Sequence, residues 1–379
     1  MVGVVSRPGC YEKLNILSTD AQYDLACACG GGQDEHRRRG REGKWIYPVT
    51  LPNGGKSVLF KTLISNVCSS DCSYCPLRQG RDIRRCSLKP QETAEVFMDY
   101  FRKGKVFGLF LSSGVTGTPD SAMQQLTDTA AILRKRYDYR GYIHLKIIPG
   151  ASDSAVGQAV SLASAVSLNI ETPGAGHLAR LSRKKDYMRD IVAPMKLISK
   201  LTAKGARYSR VKQTTQFIVG AAGETDAEIV RYAGRLYDGL KLARVYFSAY
   251  QRGLGESSLP GEQETDQGPA DVFKREHRLY QVDFLMRKYG FSASEIVFDA
   301  KGGLSATTDP KQMWANMHSE RFPVDINKAS RDELLRVPGL GLVTVEEILS
   351  KRRDGRLRSI DDIGKVGVRL SKASRYVTF

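Results

Sequence analysis

Six short apolar runs, rich in branched and aromatic residues, recur along the first 250 residues of the chain. The polar stretches between them carry helix-start signals, because Thr118 precedes Pro119 and Thr225 stands three residues before Glu228. Strands that alternate with helices predict an α/β fold with a parallel sheet and right-handed crossovers. The predicted strands are residues 58–66, 106–112, 142–148, 165–170, 213–219 and 244–249.

The pattern changes after residue 250. Residues 251–270 are polar and rich in Gly, Ser, Pro and acidic side chains, which predicts a long loop that is either a lid or a linker. Residues 271–289 then show a helical apolar stripe, and we expect this helix to pack on the sheet domain. The stripe consists of Val272, Leu279, Val282, Phe284 and Leu285.

The end of the chain contains another helical pattern. Residues 327–330, followed by Asp332 and Glu333, signal a helix start. The tetrapeptide Pro-Gly-Leu-Gly at 338–341 ends that helix and starts another. A weaker copy spans residues 363–368 and precedes a predicted helix over 370–376.

This repeated pattern resembles the helix-hairpin-helix module of DNA-binding proteins. In that module, glycines allow backbone N–H groups at a helix N-terminus to approach a phosphate. The resemblance implies a small all-α nucleic-acid-binding domain, although such modules also serve in protein–protein contacts or in packing. The implied contacts are Gly339, Leu340, Gly341, Gly364, Gly367, Lys351 and Arg352.

The candidate chemistry lies directly after the first apolar run. Cys68, Cys72 and Cys75 have the spacing Cys-x3-Cys-x2-Cys. Thiolates this close can share one metal centre, but three are one short of the four ligands that a closed zinc site or a cubane cluster needs. An incomplete set leaves an open coordination position, which is a reactive one. The alternative is a structural zinc or disulfide staple.

The motif Cys-x3-Cys-x-aromatic-Cys after a first strand resembles the radical S-adenosylmethionine (SAM) superfamily. The resemblance implies a partial (β/α)6 TIM-like barrel, in which three thiolates hold one 4Fe-4S cluster and SAM binds the fourth iron. One electron, from a donor such as a ferredoxin or flavodoxin, cleaves SAM to a 5′-deoxyadenosyl radical. Tyr74 would be the family's aromatic position beside the cluster and the adenine.

One departure from the family pattern concerns further cysteines. Ile46-Tyr47-Pro48 stands before the first strand, where the resemblance leads us to expect another cysteine. Cys27, Cys29 and Cys86 are the remaining candidates for auxiliary metal ligands.

Ligands of parallel β/α folds bind where the carboxyl ends of the strands converge. His144 and Lys146 lie on one face of the third strand. They contact the SAM carboxylate or the substrate, or else form a hydrogen bond at the mouth of the barrel. Tyr250 either contacts adenine or packs in the core. The resemblance assigns SAM contacts to the backbone of Ser112, Ser113 and Gly114, to Asn169 and Glu171 at the ribose, and to Gly220 and Ser248 near adenine.

The net charge of the chain indicates the kind of partner that it binds. The chain has 379 residues and a net charge of +17, which favours a polyanion. Residues 321–379 hold 13 Lys or Arg against 8 Asp or Glu, so most of the surplus lies earlier, in runs such as Arg183-Lys184-Lys185. We expect a cytoplasmic protein without membrane association, because no signal or membrane-span pattern occurs and free thiols need a reducing compartment.

Over nearly its whole length the chain is similar to radical SAM proteins assigned to DNA modification or repair. The resemblance implies an enzyme that modifies or repairs a nucleic acid, DNA rather than RNA, and it does not give the reaction. The alternatives are an RNA-modifying enzyme and a non-catalytic iron-sulfur nucleic-acid-binding protein; the latter would need four protein ligands for its cluster. The predicted domains are an N-terminal extension (1–55), the barrel (56–250), a polar loop and helical extension on the barrel (251–320), and the helix-hairpin-helix domain (321–379).

Overall fold

A seven-stranded sheet forms the centre of the first of two structural units. The computed structural model describes residues 8–21, 43–50, 55–263 and 268–379. The first unit comprises residues 1–224 and 235–273, and the second comprises residues 225–234 and 274–379.

The sheet is an open, mostly parallel half-barrel. Its strands follow one another in chain order, and all neighbours are parallel except the first pair. All six predicted strands are confirmed. The antiparallel first strand was not predicted, and it contains the Ile46-Tyr47-Pro48 segment. The strands are β1 Ile46–Thr50, β2 Lys56–Leu63, β3 Gly108–Ser112, β4 Tyr142–Lys146, β5 Ala165–Ser167, β6 Lys212–Val219 and β7 Arg244–Ala249.

Side-chain alternation separates the two faces of the sheet. On β3, Leu109 and Leu111 are fully buried, whereas Phe110 between them contacts the ring of His144 on β4. Gln213 on β6 donates to the carbonyl of Met195 in a helix, so odd-numbered β6 residues face the helices. The other residues of these strands line the inner, concave face.

Helices follow the strands in the order that parallel pairing requires. Both predicted caps are confirmed: Thr118 accepts from the Ser121 amide, and Thr225 forms a reciprocal capping box with Glu228. The helices are α1 Cys10–Asp20, α2 Pro90–Arg102, α3 Pro119–Lys135, α4 Asp153–Leu162, α5 Ala175–Leu181, α6 Ala193–Leu201, α7 Asp226–Leu240, α8 Pro260–Gln263 and α9 Pro269–Tyr289.

The predicted long helix is α9, and most of its stripe is internal. Leu279, Val282 and Leu285 are buried, but Phe284 is 42% exposed. The inclusion of Phe284 in the buried stripe was therefore wrong: it is one residue away from Leu285 and so points in another direction around the helix. Packing of this helix on the barrel stays a prediction.

The second unit continues with four short helices and a two-stranded parallel ribbon. The predicted helices on either side of the first glycine turn form. The helix predicted over 370–376 forms as an α-helix over Val368–Ala373 followed by a 3-10 turn, and a 3-10 turn over Ile360–Asp362 precedes the second glycine turn. The elements are α10 Pro310–Met317, β8 Val324–Asp325, α11 Arg331–Arg336, α12 Leu342–Asp354, α13 Val368–Ala373 and β9 Val377–Thr378.

Aromatic rings and cations fill the core of the second unit. The Arg336 guanidinium lies 4.4 Å from the Phe291 ring centroid and 5.3 Å from that of Trp314, and it bonds to Glu295 at 2.7 Å. Trp314 also contacts Phe322, although a separate domain was predicted to begin between them, at residue 321. The limits of the four predicted domains stay predictions. Among the helices that the structure describes, none has the length and apolar content needed to span a bilayer.

Candidate metal and cofactor site

The three motif cysteines lie on one loop after β2, at the carboxyl edge of the sheet. Cys72 is buried, and Cys68 and Cys75 are half-buried. The Val115 amide points to the Cys68 sulfur at 3.4 Å, and the Leu77 amide points to the Cys75 sulfur at 3.4 Å. N–H donors of this kind stabilise thiolates. In the described ranges, no three His, Cys, Asp or Glu side chains converge on a point that would hold a single metal ion. A cluster attaches each thiolate to a different iron, so its cysteines need no common point.

Burial controls the protonation of these thiols. It raises the pKa of Cys75 to about 12, with the neighbouring Cys72 adding to the shift, and it also raises the pKa of Cys72. Without a cation the thiols therefore keep their protons near neutral pH. A bound metal replaces those protons, so this environment makes cation binding and deprotonation a single coupled event.

Asp71, inside the motif, anchors a second segment beside the cysteines. Its carboxylate accepts from the Ser182 hydroxyl, from the Arg183 amide at 2.9 Å and from the Lys184 amide at 3.2 Å. Burial opposes the charge, but these hydrogen bonds outweigh it and lower the pKa of Asp71. The next residue, Lys185, is consequently directed into the site.

Lys185 places a cation among the candidate ligands. Its ammonium lies 3.8 Å from Glu171 and is close enough to Cys72 to interact with it electrostatically. Burial by itself lowers the pKa of Lys185, but Cys72 and Glu171 outweigh burial and raise it, so the side chain stays charged. In the sequence Lys185 belongs to the basic run Arg183-Lys184-Lys185, and its position in the site was not predicted. The only local signal was its position shortly after Glu171.

Glu171 links Asn169, at the end of the fourth predicted strand, to the cysteine motif. It is 4% exposed and has a left-handed backbone conformation with φ 64°. Asn169 donates to its carboxylate at 3.3 Å, and the Tyr74 hydroxyl is close enough to interact with it. Burial, with Glu171 contributing, raises the pKa of Tyr74, so this phenol remains a donor. The structure thus brings Tyr74, Asn169 and Glu171 together beside Cys72.

The turn after β3 packs directly on the first cysteine. The Gly114 amide donates to the Ser65 carbonyl at 2.7 Å, and the Ser69 amide donates to Val115 at 2.9 Å. A Cβ at Gly114 would lie 2.5 Å from the Val67 carbonyl oxygen, so only glycine fits here. Ser112 is buried, and the Ser113 hydroxyl donates to the Gly114 carbonyl.

The glycine turn after β6 is organised by Glu224. This buried carboxylate accepts from the amides of Gly220 and Ala222, and Gly220 has a positive φ of 90°. Glu224 was not predicted, although it lies four residues after the glycine. Ser248 is buried at the end of β7. Tyr250 belongs to a core cluster against which Tyr74 packs, and its hydroxyl donates to Glu262.

Part of the polar segment after β7 covers the cysteine loop. The Glu256 amide donates to the Ser73 carbonyl at 2.9 Å, and Arg78 donates to the Leu254 carbonyl at 3.0 Å. Leu259 joins the core cluster near Tyr74. These contacts favour the lid over the linker for residues 251–263.

The remaining cysteine and strand candidates lie elsewhere. Cys86 contacts the Lys13 carbonyl through its thiol and Asn66 through its amide, and Cys27 and Cys29 lie outside the described residues. His144 bonds to Ser167 at 2.9 Å on the inner face of the barrel. Lys146 is half-buried on the same face, two residues further along β4.

The glycine turns in the second unit differ from each other. We call residues 337–341 the first hairpin and residues 363–367 the second hairpin. A Cβ at Gly339 would lie 2.2 Å from the Arg369 carbonyl oxygen, whereas Gly341 has no atom closer than the Tyr289 hydroxyl at 3.7 Å. Gly364 and Gly367 have nothing within 4 Å.

Three other predicted nucleic-acid contacts already have partners within this unit. The buried Leu340 accepts from the Lys311 ammonium at 2.7 Å. Lys351 donates to the Ile363 carbonyl at 2.9 Å, and Arg352 donates to the Ala329 carbonyl at 2.6 Å. These bonds stabilise the unit itself, so contact of the two cations with a nucleic acid stays a prediction.

Solved structures resemble the chain at low sequence identity, whereas no protein-family model and no curated protein matches it. HydG, the FeFe-hydrogenase maturase from Carboxydothermus hydrogenoformans, is 14% identical with a TM-score of 0.47, over 60% of this chain and 51% of that one. Methylornithine synthase PylB is 14% identical with a TM-score of 0.45, over 59% and 63%. The cobalamin-dependent S-adenosylmethionine radical enzyme OxsB is 14% identical with a TM-score of 0.38, over 78% and 45%. Each match spans less than two thirds of the solved chain.

Proposed function

We propose that the chain is a radical SAM enzyme whose cofactors are one 4Fe-4S cluster, held by Cys68, Cys72 and Cys75, and SAM. The cysteine loop carries this proposal, because three thiols share one edge of the sheet with N–H donors and a buried ammonium. When bound, these cofactors supply the reductive cleavage of SAM to a 5′-deoxyadenosyl radical. Reduced thiols are a precondition, so we place the protein in the cytoplasm, supplied by a ferredoxin- or flavodoxin-type donor.

The side chains around the loop suit the two ends of SAM. The Lys185 ammonium can pair with a carboxylate, and the backbone of Ser112, Ser113 and Gly114 faces the same loop. Asn169 and Glu171 offer a donor and an acceptor to ribose hydroxyls. Gly220 and Ser248 lie at the ends of the next two strands, and part of residues 251–263 contacts the cysteine loop.

Anaerobic reconstitution tests the enzyme proposal. The chain should bind about four irons and, with dithionite, convert SAM to 5′-deoxyadenosine measured by liquid chromatography. Omitting dithionite is the control and should give no product. A protein that retains zinc and takes up no iron would refute the radical mechanism and favour the structural staple.

Replacing Glu171 should weaken SAM binding without loss of the cluster. Glu171→Gln removes the charge that faces Lys185 and one ribose acceptor, so we expect roughly tenfold weaker SAM binding, as for loss of a hydrogen bond to a charged group. Equilibrium dialysis measures the affinity, and the visible spectrum reports the cluster. Glu95→Gln, on the exposed side of α2, is the matched control. Unchanged affinity in a folded Glu171 variant would assign this residue a structural role.

The finer part of the proposal is a nucleic-acid substrate, DNA rather than RNA, that is modified or repaired. It rests on the net charge of +17 and on the helix N-terminus at Gly341, which has room for close approach. The second candidate is a non-catalytic iron-sulfur protein that binds nucleic acid. This candidate also predicts nucleic-acid binding, but it predicts no formation of 5′-deoxyadenosine under any reducing condition.

Gly341 is the position at which phosphate binding by the first hairpin can be tested. Gly341→Leu should weaken binding of a duplex oligonucleotide and reduce the slope of log affinity against log salt by about 0.9, the value for one phosphate. Fluorescence anisotropy across a salt series measures both. Gly355→Leu, at the other end of α12 and equally free of neighbours, is the matched control. Gly339 is unsuitable, because a side chain there meets backbone. An unchanged slope would make the first hairpin a packing element.

A further inference from the structure

The inner face of the half-barrel is polar where a closed barrel would be filled with branched apolar side chains. His144 on β4 bonds to Ser167 on β5 at 2.9 Å, and the Phe110 ring lies 4.5 Å from the His144 ring. Thr214 and Gln216 on β6 lie on this face, because the residues between and beside them face the helices. The face therefore offers an aromatic surface next to several hydrogen-bonding groups.

Two of these groups have no hydrogen-bond partner. Thr214 is 8% exposed and Gln216 is 5% exposed, and neither the Thr214 hydroxyl oxygen nor the Gln216 amide nitrogen makes a hydrogen bond. A buried polar atom left in this state costs about 1–3 kcal/mol. On the helix-facing side of β6, the Thr215 hydroxyl donates to the Leu168 carbonyl and the Gln213 amide nitrogen donates to the Met195 carbonyl, although the Gln213 amide oxygen also has no partner. The two unpartnered atoms point to a ligand that would supply the missing bonds.

Charge on the same face specifies the sign of that ligand. None of the six parallel strands contains an Asp or a Glu. Lys61 is 4% exposed, with its ammonium 4.9 Å from the Phe110 ring centroid and 5.0 Å from that of Tyr47. Lys146 lies further along the face, towards the cysteine loop. The charged residues of these six strands are all basic, which favours an anionic ligand.

We propose that the inner face binds one unpaired nucleotide of a nucleic acid, an inference that rests on the proposed function. The base would stack on the Phe110 and His144 surface and present its polar edge to Thr214 and Gln216, as amide side chains read base edges elsewhere. Lys61 and Lys146 attract its phosphate. An enzyme that reacts with a base must first remove that base from the stack, so a polar surface that can hold a single nucleotide is what such a reaction needs.

Photo-crosslinking of the full chain tests this placement. The probe is a single-stranded 15-mer with one central 4-thiothymidine, irradiated in complex with the protein and mapped by peptide mass spectrometry. We expect crosslinks in the strand peptides that contain Phe110, His144 or Gln216. Gln216→Leu should lower the crosslink yield roughly five- to tenfold, as expected for one lost hydrogen bond to the base. Gln213→Leu, the same change on the helix-facing side of β6, should leave the yield near that of the wild type.

The outcomes separate this proposal from the enzyme proposal. The crosslink needs neither iron nor SAM, so it can succeed when SAM cleavage fails, and the reverse. Crosslinks confined to residues 321–379, or an equal yield in the Gln216 variant, would overturn the placement. Thymidine monophosphate serves as competitor. If it displaces the probe as well as an unlabelled 15-mer does, the inner face binds free nucleotides and its assignment to a nucleic acid is wrong.

Discussion

Cys72→Ala is expected to abolish both iron binding and SAM cleavage. The wild-type chain should take up about four irons on anaerobic reconstitution, and the variant should take up less than about one, because two thiolates cannot hold a cubane cluster that already relies on three. Cys72 is the critical choice, since it is the buried member of the set and the one that interacts most strongly with Lys185. Iron assay and the visible spectrum give the first readout, and 5′-deoxyadenosine gives the second.

Cys86→Ala is the matched control for this loss. Cys86 follows the motif along the chain, but its thiol faces the Lys13 carbonyl at 3.9 Å. Iron content and SAM cleavage should therefore match the wild type. Retention of about four irons in the Cys72 variant would show that another residue is the third ligand, and the assignment of the motif would be wrong.

Lys311→Met is expected to stabilise the second unit at low pH and to lose that advantage as the pH rises. Lys311 is 8% exposed, and burial lowers its pKa from 10.5 to about 7. The unfolded chain then binds more protons than the folded one between these values, so the free energy of unfolding rises with pH across this window. The slope is at most about 1.4 kcal/mol per pH unit. Below pH 7 the buried charge is fully present and stability is lowest.

The methionine variant has no such proton uptake, and it also lacks the hydrogen bond to Leu340, worth about 1 kcal/mol. Its stability relative to the wild type should therefore fall steadily between pH 7 and pH 10.5. Urea titrations followed by fluorescence of the buried Trp314, in a Trp45→Phe background that leaves it the sole tryptophan, measure this difference. Lys365→Met, at an exposed lysine of the second hairpin, is the control and should give a flat difference. A flat difference for Lys311 would contradict its lowered pKa.

Local patterns in the sequence were enough to predict the parallel strands. An apolar run bounded by helix caps needs no distant contact to be recognised, because strand period and capping are properties of neighbouring residues. The caps at Thr118 and Thr225 and the helix ending at Tyr289 followed in the same way. The cysteine motif also lies within a few residues, so its candidate chemistry was visible before any fold.

Contacts between residues that are distant in sequence could not be predicted from such local patterns. The antiparallel pairing of β1 with β2 depends on the register between two strands, and the periodicity of neighbouring residues does not specify that register. Phe284 was placed in a buried stripe but is exposed, because two adjacent apolar positions on a helix cannot both face the same neighbour. Gly339 was predicted to free a backbone for phosphate, yet its close neighbour is the carbonyl of Arg369.

The sequence alone therefore determined the order of the six parallel strands, the three-thiol loop and the positive charge, since each depends on residues close together in the chain. Tertiary structure decided which charges became internal. Asp71 holds the Ser182–Lys184 segment, more than a hundred residues away in sequence, and thereby places Lys185 beside the cysteines. Gln216 differs from Gln213 only by the face of β6 on which it lies. The reason is physical: burial and partners set the chemistry of a polar side chain, and both come from segments that meet only after folding.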